Sequence, residues 1–156
     1  PPMIGWAAVT GDVSIASIIL FLLIFMWTPP HFWALALFRN GDYAKAGVPM
    51  LPVVADEKEV TRQIVWYTVG TVIVTLLIVP AASWIYLVAA LASDAVFLWM
   101  AIRLHKGVKN GAKVKPMRLF IYSNNYLSVL FIGLSIDAVL GWEPLGRMLG
   151  WSATLF

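Results

Sequence analysis

VSIASIILFLLIFMWTPPHFWALALF, residues 13–38, carries no charged side chain. The apolar core of a bilayer is about 30 Å thick and takes about 20 helical residues at about 1.5 Å each, so this run is long enough to cross. Its apolar character is continuous, with no alternation of polar and apolar positions, which selects a helix over a barrel strand. Three further runs share that character: 64–82, also charge-free, 84–102, interrupted by Asp94, and 119–140, with Asp137 near its far end. The sequence therefore predicts an all-α, polytopic transmembrane helical bundle with four spans, the first of them broken at 29–30.

Composition points the same way. Of 156 residues, 61% are hydrophobic and 12% charged, and the mean hydropathy is +0.84; soluble domains run at roughly 45–50% apolar and 25% charged. A soluble enzyme is excluded, because a fold of this length could not hide so much apolar surface from water. The absence of cysteine removes disulfides, thiolate catalysis and Cys-based zinc or iron–sulfur sites. A net charge of +3 would suit nucleic acid, but the placement of the basic residues assigns them to a membrane surface, with no nucleic-acid partner. Residues 39–63 hold Arg39, Lys45, Lys58 and Arg62, and residues 103–118 hold Arg103, Lys106, Lys109, Lys113, Lys115 and Arg118, together ten of the eleven. The positive-inside rule places both links in the cytoplasm and both chain ends outside. For the second link, a topogenic signal with contact to anionic lipid is the favoured reading. The chain opens on Pro1-Pro2 with no initiator Met and no signal-peptide pattern, and is read as an internal start.

The first link is ordered by its own chemistry: WTPPHFWALALFRNGDYAKAGVPMLPVV, residues 27–54. Pro29 and Pro30 withdraw two backbone donors, and Thr28 is suited to cap a new helix with Pro29 in its first turn. A broken or kinked span is expected, with residues 28–31 facing a cavity, since irregular backbone at membrane depth must be covered; the alternative is a proline kink used only for packing. If the second half-helix runs to Tyr43, His31 and Asp42 share a face within about 20° and stand about 16 Å apart along the axis. Arg39 and Lys45 each lie three residues from Asp42. On the residues alone, that cluster is either the mouth of a binding cavity or a solvated ion pair worth little. His31 is either a ligand or a histidine hydrogen-bonded inside the bundle.

The WTPPHFWALA run at 27–36 followed by DYxxAGxPMLP at 42–52 resembles the protohaem IX farnesyltransferases (haem O synthases), a branch of the UbiA-type membrane prenyltransferases. GWAAVTG at 5–11 and IYSxxYL at 121–127 are similar as well. The resemblance implies that residues 1–156 form the C-terminal half of a prenyltransferase domain with nine spans. It implies transfer of a farnesyl group from farnesyl diphosphate to a vinyl group of haem b, giving haem O and diphosphate, in a bacterial inner membrane. The superfamily uses two aspartate-rich motifs on cytoplasmic links. This chain carries the second; the first, of the NxxxDxxxD kind, is absent. A full DxxxD would need an acidic residue at Ala46, so Asp42 is the one carboxylate carried over. Asp56, Glu57 and Glu59 fit no motif and read as an exposed acidic run.

The resemblance assigns Asp42 to Mg²⁺ and Arg39 and Lys45 to the diphosphate, with Tyr43 as a hydrogen-bond donor beside them. Trp27, Phe32 and Trp33 offer π faces to an allyl cation. His31 would ligate the haem iron, hold the propionates, or pin the broken helix through a backbone carbonyl. Asp94, mid-span, is either a functional carboxylate or a neutral one hydrogen-bonded to Asn124 or Asn125, and with no family motif at that position the structural reading is preferred. The implied partners are farnesyl diphosphate, haem b and the lipid bilayer, with haem A synthase or oxidase assembly downstream, and the chain by itself is expected to be inactive. The alternatives are a UbiA-type prenyltransferase with another aromatic acceptor, or a non-catalytic transporter or oxidase-assembly subunit.

Overall fold

The structure, a computed structural model, describes residues 2–141 and 143–148. Among these there is no strand. The helices are α1 (Pro2–Thr10), α2 (Ile15–Phe38), α3 (Asn40–Lys45), α4 (Leu51–Val54), α5 (Glu57–Ile78, running into a 3₁₀ turn at Val79–Ala81), α6 (Trp84–Lys109), α7 (Pro116–Leu140) and α8 (Leu145–Met148). Four of them, α2, α5 with its 3₁₀ turn, α6 and α7, are long and apolar enough to cross a membrane.

Local chemistry sets their ends. Ser14 caps α2, its Oγ accepting from the Ser17 amide at 3.2 Å. Ser83 caps α6 and is itself gripped by Asp137 of α7, which accepts from the Ser83 amide at 2.8 Å and from its hydroxyl at 2.5 Å. Pro116 opens α7, and Gly141, with φ +60°, ends it in the left-handed conformation that glycine adopts without a Cβ penalty.

The four long helices form a ring in chain order, with α7 packed back on α2. Neighbours are antiparallel. Trp33, late in α2, meets Tyr67, early in α5, edge-on at 5.4 Å. Thr61, early in α5, lies 3.0 Å from Nδ1 of His105, late in α6. Trp27 of α2 donates to the Ser123 carbonyl early in α7. The links 39–56 and 110–115 therefore share one end of the bundle. Leu23, Ile64, Phe97 and Leu130 are fully buried inside the ring, whereas Phe25, Trp66, Ile73, Val88 and Ile132 are more than half exposed on its outside. Large apolar side chains facing outward over spans of this length suit lipid as solvent. The inner face of α5 carries Thr61, Thr68, Thr71 and Thr75, all fully buried. Each hydroxyl bonds a carbonyl four residues back at 2.8–2.9 Å, so these side chains pack inside without an orphaned donor.

The expected break at 29–30 is corrected: α2 continues through both prolines. Thr28 does not cap a new helix; its hydroxyl donates backward to the Ile24 carbonyl at 2.6 Å. Each proline deletes one ladder bond, but in a span flanked by α5 and α7 the surrounding protein sustains the helix where water would end it. The chain breaks instead at Arg39 (φ −105°, ψ +24°), between α2 and α3. A continuous helix from His31 to Tyr43 does not form, and the shared face calculated for His31 and Asp42 goes with it. The helices also outrun the apolar runs at the linked end, to Glu57, Lys109 and Pro116, because Glu, Lys, Arg and Gln hold helical backbone well outside the apolar core.

Candidate functional site

The first part of the candidate site is the link that follows α2. Asp42 lies in the first turn of α3 and Lys45 in its last, the arrangement a helix dipole favours. Gly47, with φ +66°, then reverses the chain, and the Val48 amide returns to the Tyr43 carbonyl at 3.1 Å. Pro52 is buried in the first turn of α4, which packs on α2, α3 and α5. The letters of DYAKAGVPMLP thus encode a fixed turn that presents one carboxylate. Arg39 Nη1 lies 3.2 Å from Asp42 Oδ2, and the two side chains are 58% and 66% exposed. Lys45 is exposed, and among the described residues no ion pair joins it to Asp42; Tyr43 is half-buried.

No group of three or more His, Asp or Glu side chains able to hold a metal ion is gathered among the described residues. Mg²⁺ characteristically takes one or two carboxylates and completes its octahedron with water and phosphate oxygens. Asp42 fits as one such ligand, since its Oδ1 accepts no hydrogen bond among the described residues.

The second part is buried. His31 is 9% exposed and its ring is sandwiched between Trp27 (centroids 4.2 Å, planes 22° apart) and Phe120 (4.5 Å, 28°), with Phe32 edge-on at 5.2 Å. Nδ1 is 2.7 Å from Ser123 Oγ. That hydroxyl donates to the Phe120 carbonyl at 2.7 Å, which leaves Nδ1 as the donor to it and puts the lone pair of a neutral ring on Nε2. Trp27 Nε1 donates to the Ser123 carbonyl at 2.8 Å. His31 is therefore held by a side-chain hydroxyl of α7, not by the backbone carbonyl considered above. Trp33 turns away to Tyr67. The structure brings Trp27, His31 and Phe32 together and pairs Arg39 with Asp42, but of the first group only Trp27 and His31 lie within the bundle, while Phe32 and the Arg39–Asp42 pair are at its surface.

Ser123 and Phe120 had no role in the sequence reading, nor did Tyr126, which carries a third cluster. Asp94 Oδ1 accepts from the Tyr126 hydroxyl at 2.7 Å, and that hydroxyl is 2.7 Å from Thr75 Oγ1. The Tyr86 hydroxyl donates to the Thr75 carbonyl at 3.3 Å. Asp94 is 4% exposed, and its Oδ2 has no partner among the described residues. The expected pairing with Asn124 or Asn125 is corrected: both are exposed, while Ser123 and Tyr126, one helical turn apart, face inward. The available signal was IYSxxYL, whose Ser and both Tyr residues hydrogen-bond to other spans, Tyr122 to the Ser93 carbonyl at 3.1 Å.

Residues 1–124 match the UbiA prenyltransferase family. The chain belongs to that family. Within the UbiA family it is 58% identical over its whole length to a protein named protoheme IX farnesyltransferase from Corynebacterium diphtheriae, covering 51% of that protein. Proteins of the same name from Nocardia farcinica and Mycolicibacterium smegmatis are each 55% identical over 96% and 93% of the chain, which covers 48% and 47% of them. The chain spans about half the length of the curated UbiA relatives it matches. No solved structure matches it.

Proposed function

We propose that the protein carrying this chain transfers a farnesyl group from farnesyl diphosphate to a vinyl group of haem b, forming haem O and releasing diphosphate. The observation that carries this reading is 58% identity over the full chain to a protein named for that reaction. The same names favour it over a different aromatic acceptor, a transporter or an assembly subunit.

In the proposed reaction the allylic C–O bond breaks and its electron pair leaves on the diphosphate. The vinyl π electrons then bond to the farnesyl C1, and water adds to the resulting cation and loses a proton. Asp42 would hold Mg²⁺, which supplies charge neutralisation at the departing diphosphate. Arg39 exchanges its 3.2 Å contact with Asp42 for diphosphate oxygens, Lys45 adds a second cation, and Tyr43 donates a hydrogen bond. Phe32, 47% exposed, and the neighbouring Trp33 offer aromatic faces to the allyl cation. Trp27 holds the His31 ring, and Nε2 of His31, the nitrogen left with its lone pair, is the atom for a haem-side contact. The ten basic residues of segments 39–63 and 103–118, the two links with their flanking helix ends, support a cytoplasmic position for that end of the bundle, in a bacterial inner membrane. Haem A synthase or oxidase assembly would consume the haem O. A single motif carboxylate supports the further reading that the chain alone is inactive and needs residues beyond it.

The test is conversion of haem b by the intact protein in detergent with farnesyl diphosphate and Mg²⁺. Haem O should form, chelation should abolish the rate, and Asp42→Ala should lower kcat on the order of 100-fold or more with unfolding unchanged. Absence of haem O would overturn the activity; a near wild-type rate for Asp42→Ala would overturn the site.

A further inference from the structure

Five basic side chains converge on one cleft at the end of the bundle that carries the Asp42 turn. Arg103 and Lys106 come from α6, Lys113 and Lys115 from the link, and Arg118 from the first turn of α7. The cleft encloses about 650 Å³. No acidic residue lines it, and none of the five cations joins an ion pair among the described residues. Its lining residues come from α6, α7 and their link alone, so it is separate from the turn that carries Asp42.

The link is folded to make this wall. Gly111 takes φ +66°, and the Ala112 amide returns to the Gly107 carbonyl at 2.9 Å. Val114 seats directly on Gly107, where an added Cβ would stand 2.5 Å from Val114 Cγ1. The doubled-back chain carries Lys113 and Lys115 over the last turns of α6. A topogenic signal needs only a number of positive charges on one side of the membrane; it does not require them to meet. All five are exposed, so water and salt screen much of their mutual repulsion, and an anion bound among them removes more of it.

The other wall identifies the anion. Below the cations the lining is apolar, with Trp99, Met100, Leu104 and Leu119. The Arg103 guanidinium lies 5.1 Å over the Trp99 ring, and Trp99 is 57% exposed on the outer face of α6. A small soluble anion would use the rim and leave that floor bare, whereas an amphiphile uses both. We propose that the cleft binds a phosphate-bearing anion, the headgroup of an anionic phospholipid whose acyl chains lie along Trp99 and Met100. The cations hold the phosphate, the lipid neutralises the link, and α6 and α7 are tied to the leaflet at this end.

The experiment uses the intact protein in detergent, titrated separately with phosphatidylglycerol, phosphatidylcholine, inorganic phosphate and inorganic diphosphate. Native mass spectrometry counts bound lipid, and thermal unfolding reports stabilisation. Phosphatidylglycerol should bind and raise Tm where phosphatidylcholine does not. Lys113→Gln should weaken it about fivefold, the factor that corresponds to about 1 kcal/mol per basic residue. Lys58→Gln, which removes the same charge outside the cleft, should leave binding unchanged, so a general loss of charge is distinguished from loss of this site. Lys113 lies in the link outside both helices, and monodisperse elution of Lys113→Gln verifies that it is folded. No response to phosphatidylglycerol would overturn the lipid, and protection by phosphate or diphosphate that Lys113→Gln weakens would assign the cations to a soluble anion, since diphosphate held at the Asp42 turn does not depend on Lys113. Equal binding by wild type and Lys113→Gln, or equal losses in both variants, would overturn the site.

Discussion

The hydroxyl of Ser123 lies 2.7 Å from Nδ1 of His31, so a residue of the last span sets the tautomer and orientation of a ring in the first. Ser123→Ala should leave Nδ1 without its partner while the Trp27 bond to the Ser123 carbonyl survives. Hydrogen bonds between spans average about 0.6 kcal/mol and reach about 1.7, so the loss of stability should fall in that range. Unfolding in mixed detergent and SDS, followed by tryptophan fluorescence, measures it. If Nε2 meets haem, the rate of haem conversion should fall by more than the stability change explains; an unchanged rate would reduce His31 to a packing residue.

Tyr126→Phe should be more costly than Ser123→Ala. It removes the one hydrogen bond that Asp94 makes among the described residues, leaving both oxygens of a 4%-exposed carboxyl without a partner there. The cost is about 1–3 kcal/mol. Replacing both partners, as Tyr126→Phe with Asp94→Val, should recover part of that loss, because the orphaned acceptor goes with its donor. A double variant less stable than Tyr126→Phe alone would show that Asp94 is held by something other than Tyr126.

Thr28 separates two descriptions of the prolines. As an N-cap it would be worth about 1 kcal/mol. As a side chain bonded back to Ile24 within a continuous helix, it should be replaceable by Val with a change of less than about 0.5 kcal/mol. The same unfolding assay decides, and a loss near 1 kcal/mol would restore the break at 29–30.

Orientation is open to chemical labelling because the chain has no cysteine. Gly41 has open space around its Cβ position and a helical backbone, so Gly41→Cys is tolerated. Gly111 is not a sound site, since its φ of +66° strains any other residue. The neighbouring exposed Ala112 serves instead. Both cysteines should resist a membrane-impermeant thiol reagent in intact cells and react after permeabilisation. Ready labelling of either in intact cells would invert the topology.

The four spans were legible because a run of about 20 apolar residues has one physical solution in a bilayer. Gly47 and Pro52 are local punctuation that signals the Asp42 turn, yet a half-helix running to Tyr43 was considered in its place. The break was misplaced because the missing proline donors were expected to open the helix toward a cavity, where a freed carbonyl finds water. Inside a ring of helices that exchange is missing, and α2 stays intact until Arg39, at the bundle's edge. The partner of Asp94 was missed for a different reason. An amide looks like the natural companion of a carboxyl, but helical phase decides: Tyr126 faces inward with Ser123, and the two asparagines between them face out. His31 and Ser123 are 92 residues apart, and no spacing rule joins them.

The bond from Trp27 to Ser123 crosses 96 residues of chain. A ribosome adds about 5–20 residues each second, so α2 is in existence for about 5–20 s before α7 has been synthesised. Through that interval the indole N–H and the imidazole have no counterpart on α7, and the groove they will fill is open along one side. The nascent α2–α5–α6 arrangement thus carries two unpaired polar groups at membrane depth, and α7 is the clasp that covers them.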